Sequence, residues 1–102
     1  MACEVIRTTD FEADLDEVVR YLAMTLASPA AARNIVNQAE RAELLVSDNP
    51  YMCPVSQKPL FNARQYREYF LHGYVIVYRT NGHRAIFLRL FHQSQVYWNR
   101  NE

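Results

Sequence analysis

From Phe11 to Leu26 apolar residues recur at steps of four and three. Phe11, Leu15, Val18, Leu22 and Leu26, with Val19 beside them, fall on one stripe of an amphipathic helix. Thr9 and Glu12 form a T-x-x-E capping box at its start, and Asp10, Glu12, Asp14 and Asp16 crowd the first turns, where the helix dipole favours anions. Ser28-Pro29 ends this helix and opens another, because serine suits the N-cap and proline's missing N–H costs nothing at the first helical position. The second helix carries Ala32, Ile35, Val36, Ala39, Ala42 and Val46 on one side and stops at Asp48-Asn49-Pro50. Its small residues let two helices approach closely, and the tight junction predicts a helical hairpin.

Elsewhere the pattern shortens to that of strands. Cys3–Thr8, centred on Val5 and Ile6, reads as a strand ahead of the helices. Residues 50–63 hold Pro50, Pro54 and Pro59 with little periodicity and read as a loop. Three strands follow, at Tyr66–Leu71, Tyr74–Thr80 and His83–Phe91, with Asn81-Gly82 as a type I′ hairpin turn. That turn pairs Thr80 with His83, Arg79 with Arg84, Val77 with Ile86 and Val75 with Leu88. One face of the hairpin is then aliphatic (Val75, Val77, Ile86, Leu88, Leu90) and is expected to receive the helices. The other carries Tyr74, Ile76, Tyr78, Ala85, Phe87, Arg89 and Phe91. An aromatic face with a cation is either a second core layer with a snorkelling arginine or a surface for stacked bases or a partner segment. Arg79 opposite Arg84 sets like charges across a ladder, which splaying into water at the hairpin end relieves.

The chain has 102 residues, enough for one domain with one core, and half of them are apolar. No apolar run approaches the length of a membrane span, and the first residues lack a signal-peptide pattern, so a cytoplasmic location is the expectation. Cys3 and Cys53 belong to no CxxC unit and no His–Cys spacing suggests zinc; two free thiols and no metal or cofactor are expected. The net charge is zero, but the halves differ. Residues 1–50 hold four basic against nine acidic side chains, a net of −5, and residues 51–102 hold seven against two, a net of +5. Neutrality overall argues against a general nucleic-acid coat and permits a local basic site. Lys58 is the only lysine; the other cations are arginines, better suited to planar recognition of phosphate or carboxylate.

The layout of strand, helical hairpin and three antiparallel strands, together with YLAMTLASPAAARN, YREYFLHGYVIVYR and FLRLFHQSQVYW, resembles the RelE/ParE superfamily of type II toxin–antitoxin toxins. The resemblance covers nearly the whole chain and rests on the order and spacing of these pieces. It implies an α+β fold, β-α-α-β-β-β, with a helical hairpin on a small twisted antiparallel sheet and a short C-terminal tail. It implies a cognate antitoxin as partner, with operator DNA reached only through that antitoxin. It leaves two targets: RelE-like members cut mRNA, usually on the ribosome, and ParE-like members inhibit DNA gyrase without being nucleases. A non-toxic binding module of the same fold is a third reading.

The nuclease chemistry needs no metal: a 2′-OH attacks its own 3′ phosphate, which requires a base, an acid and cations to hold the developing charge. By resemblance, Arg67 binds the phosphate, His92 moves a proton near neutral pH, and Tyr97 stacks on a base or joins the proton transfer. Arg89 is a second clamp, with Lys58 and Tyr74 as further substrate-binding residues. Glu68 alternates with Arg67 along its strand and is discounted as the base. The tail departs from the nuclease pattern: Gln93-Ser94-Gln95 is neutral where family nucleases carry basic residues. Affinity for RNA leans on phosphate contacts, so this depletion fits a ParE-like protein or a decayed toxin. The histidine-to-tyrosine tail favours the nuclease.

Overall fold

A computed structural model describes residues 3–95. The elements run β1 (Glu4–Arg7), α1 (Thr9–Arg20), a π-helical turn (Tyr21–Thr25), α2 (Pro29–Asp48), α3 (Pro59–Ala63), β2 (Arg67–Phe70), β3 (Tyr74–Asn81) and β4 (Arg84–His92). The strands form one sheet in the order β1-β4-β3-β2. The α+β architecture is as expected, with one addition: β1 pairs in parallel with β4, so the sheet is mixed rather than antiparallel throughout. The predicted loop also contains a helical turn, α3, opened by Pro59 at its first position.

Both long helices begin at side-chain caps. Ser28 Oγ accepts from the Ala31 N–H at 3.2 Å, with Pro29 next in the chain. The cap of α1 is Thr8 rather than Thr9. Its hydroxyl accepts from the Phe11 N–H at 3.0 Å and donates to the Leu88 carbonyl at 2.9 Å. The sheet thus fixes the hydroxyl that starts the helix, and the expected capping box from Thr9 to Glu12 is not used. Between the helices the chain widens into the π turn and closes with Leu26 N–H on Tyr21 O at 3.1 Å and Ser28 N–H on Leu22 O at 2.9 Å. Ala27 sits there at φ 50°. A wider turn rotates the apolar stripe, which leaves Leu26 54% exposed while Phe11 and Leu15 are buried. In α2 the predicted stripe holds: Ala32, Ile35, Ala39, Ala42 and Val46 are all buried.

The β3–β4 hairpin corrects the expected register. Asn81 pairs with Arg84 and Thr80 with Ala85, so the two-residue loop is Gly82-His83. Gly82 has φ +63° and His83 is not among the positive-φ residues, the sign pattern of a type II′ turn with glycine first. Arg79 therefore lies opposite Ile86, and Arg84 pairs with Glu4 at 3.2 Å, so no arginines face each other across the ladder. Farther along, Tyr78 pairs with Phe87 but Val77 with Arg89, so Leu88 is the extra residue of a bulge. The bulge moves Leu90 to the face of Ile76, and Arg89 and Phe91 to the face of Val77 and Val75.

The helices receive the face that was expected to be the outer one. Ile76, Tyr78, Ala85, Phe87 and Leu90 pack with Phe11, Leu15, Ile35, Ala39, Ala42 and Val46 in the main core. Tyr78 and Phe87 fill more volume than the aliphatics could, and the alanines of α2 make room for them. Val75, Val77 and Phe91 face the other way and pack with Phe61 of α3, with Tyr66 and Leu88 against them. Both faces of the central strands are therefore buried, which is why alternation along β3 is weak.

Candidate functional site

The sequence-predicted residues occupy two separate places. Arg67 begins β2 and pairs with Tyr78, so its side chain lies on the helix side of the sheet. There Nη1 donates to the Cys53 carbonyl, and the guanidinium lies 5.1 Å from the centre of the Tyr51 ring. Its Nε is buried without an acceptor. Tyr78 donates its hydroxyl to Pro50 O at 3.0 Å. Arg67 and Tyr78 thus hold the loop that leaves α2 against the sheet. Burial raises both the Cys53 thiol and the Tyr78 phenol above their ordinary pKa values, with Arg67 opposing the rise. Both groups are neutral at physiological pH and neither is an activated nucleophile.

His92 lies at the far end of β4. It pairs with Tyr74, and the two rings meet edge to face at 5.2 Å. Its Nδ1 accepts from the Ser94 N–H at 3.1 Å and contacts Ser94 Oγ at 2.7 Å. Beside it runs a groove of about 610 Å³ between α1, the π turn and β4, lined by Asp14, Glu17, Tyr21, Leu22, Tyr74, Arg89 and His92 among others. The structure therefore brings together His92, Tyr74 and Arg89. It does not bring Arg67 to them: Arg67 and His92 pair with positions four residues apart on opposite sides of β3, roughly 16 Å from strand geometry. Tyr97 lies outside the described residues.

Each predicted cation has a protein partner. Arg89 grips Asp14 through Nε at 2.7 Å and Nη2 at 3.2 Å, and its guanidinium stands 4.9 Å from the Phe91 ring. Asp14 also accepts the Leu90 N–H at 2.9 Å. The cause is topological: β1 ends at Arg7 opposite Phe87, so beyond that point α1 covers the edge of β4 and a carboxylate does the work of a neighbouring strand. Lys58 holds Glu68 through both oxygens, at 2.7 and 2.8 Å, with the Glu68 side chain only 8% exposed. That pair is on the face opposite Arg67, as the alternation along β2 implies.

Asp14, Tyr51 and Cys53 were missed as members of these clusters. Asp14 was legible in principle: it falls three residues after Phe11 and four before Val18, on the apolar stripe itself, where a carboxylate needs a partner. Tyr51 and Cys53 meet Arg67 only through the path of an irregular loop, which has no periodicity to read. Among the described residues no group of three His, Cys, Asp or Glu side chains could hold a metal ion, and no helix is long and apolar enough to cross a membrane.

Comparison with known proteins gives two results. Residues 5–97 match the family model described as the ParE toxin of the type II toxin-antitoxin system, parDE. The fold is similar to a solved chain of the chromosomal ParDE TA system from P. aeruginosa, with a TM-score of 0.71 and 18% identity over 89% of this chain and 96% of that one. No curated protein matches.

Proposed function

This chain belongs to the ParE toxin family of type II toxin–antitoxin systems, within the RelE/ParE superfamily, and from that premise we propose that it inhibits DNA gyrase by binding it. Family membership implies a cognate antitoxin as the partner that silences it. The observation that carries the gyrase reading is the engagement of the cations. A phosphate-cleaving site needs several positive groups aimed at one point. Here Arg89 is committed to Asp14, Lys58 to Glu68, and Arg67 to the 50–53 loop about 16 Å from His92. Releasing any of them for a phosphate means breaking a bond that the fold uses. Inhibition by binding asks for no such rearrangement.

A nuclease using Arg67, His92 and Tyr97, with Arg89, Lys58 and Tyr74 binding substrate, is the second reading. The exposed His92 beside Tyr74 at the open groove favours it. Induction without antitoxin separates the two. On the gyrase reading, purified protein blocks supercoiling of relaxed plasmid and primer extension shows no new mRNA ends. Codon-phased cuts that vanish with His92→Ala, with supercoiling intact, would overturn it in favour of the nuclease.

A further inference from the structure

We propose that a cavity on the outer face of the sheet is a binding site for a free aromatic α-amino acid with a single ring. The cavity holds about 210 Å³ and lies between the first turn of α1, the short helix α3 and the bulged stretch of β4. The bulge shapes it. Leu88 is the extra residue there, and its carbonyl accepts from the Thr8 hydroxyl at 2.9 Å, which fixes the start of α1 at one side. At the other side α3 has only five residues. It lays Phe61 on the outer face of the sheet and leaves the space toward α1 unfilled.

Size and walls select the ring. Val77 and Leu88 form the floor, and Phe61 and Tyr66 form one wall. The Phe61 and Tyr66 rings stand 5.5 Å apart at 56° to one another, an arrangement that accepts a further ring edge to face. Apolar cavities of this kind hold water poorly and take benzene-like guests. The volume is below the ~300 Å³ at which pockets for drug-sized ligands begin, so one ring and a short head fit and a nucleotide does not. The mouth selects the head. Asp10 comes from the first turn of α1 and Arg64 from the end of α3, and both are exposed. Asp10 makes no ion pair among the described residues. Arg64 has five N–H donors, so holding another group does not exhaust it. A carboxylate for Arg64 and an ammonium for Asp10, on a carbon one methylene from a ring, are the groups of an aromatic α-amino acid. The site lies outside the ion pairs on which the gyrase reading rests and stands or falls apart from it.

The test uses the full chain, ¹⁵N-labelled, titrated with L-phenylalanine. Saturable shifts are expected at the Asp10, Phe61, Tyr66 and Leu88 amides, with a Kd of about 1 mM for a ligand of this size. Hydrocinnamate, which lacks the ammonium, and phenethylamine, which lacks the carboxylate, should each bind about fivefold more weakly. Leucine, which lacks the ring, should not saturate. Asp10→Asn should weaken phenylalanine about fivefold and leave hydrocinnamate unchanged, and Arg64→Gln should weaken both about fivefold and leave phenethylamine unchanged. A change in folding alone would not sort the ligands in this way. Absence of saturable shifts at about 10 mM phenylalanine, shifts centred on the His92 groove, or variants that bind phenylalanine as tightly as the parent would overturn the proposal. So would equal binding of either truncated ligand or of leucine. N-acetyl-phenylalaninamide bound as tightly as the free amino acid would also overturn it, because the cavity would then take an aromatic side chain of a protein.

Discussion

Asp14 accepts three hydrogen bonds, two from Arg89 and one from the Leu90 backbone. Replacing it with alanine takes the carboxylate away from a half-buried guanidinium and the acceptor away from an edge N–H. The expected cost is about 3 kcal/mol, read as a lower urea midpoint at unchanged m-value, while Asp14→Asn, which keeps acceptors, loses less. Tyr78 adds a pH-dependent element. Its phenol is raised above the ordinary value by burial first, with Cys53 adding to the rise. A group whose folded pKa is raised stabilises the fold fully below the unfolded value, about 10, and loses that contribution as pH rises beyond it toward the folded pKa. Stability should therefore fall above about pH 10, and Tyr78→Phe should flatten that fall while losing the bond to Pro50. A fall equally steep in the variant would rule out Tyr78 as the cause.

At the scale of elements, the helix stripes were legible because a 3.6-residue period over many residues leaves little ambiguity. The π turn was not, since Leu22 and Leu26 fit either an α-helical continuation or a widened turn. The strand faces failed for a different reason. β3 is buried on both sides, so no polar alternation marked which face the helices take, and the bulge at Leu88 changes the alternation partway along β4. The turn itself misled: Asn81-Gly82 signals a type I′ loop, but the strands pair one residue later and place Gly82 first. The junction after the π turn yields a further prediction. Ala27 holds φ 50° with a Cβ that disfavours that region. Ala27→Gly removes that clash at the cost of a freer unfolded chain, and a net gain of about 0.5 kcal/mol is expected. Equal or lower stability on urea unfolding would show that the strain is relieved elsewhere in the turn.

Across the whole molecule, charge was readable as an imbalance between halves, and the fold turns it into a difference between the helical and sheet layers. The site was less readable. Arg67, His92 and Arg89 look like one constellation on paper because strand order hides how far apart two positions lie across a sheet. The groups that commit the cations are Asp14 on α1, Glu68 on β2 and the Cys53 carbonyl of the 50–53 loop, whose placement the sequence does not give. That commitment has a kinetic consequence. A toxin that binds gyrase and breaks no bond reaches an extent of inhibition set by the molar ratio of toxin to enzyme, and longer incubation adds nothing. A nuclease turns over, so its effect grows with time at any ratio. With both components purified, the supercoiling defect should saturate near a fixed stoichiometry. Because the layers carry opposite net charge, the association rate should also change with ionic strength. A sub-stoichiometric amount of toxin that eventually silences all of the activity would contradict inhibition by binding.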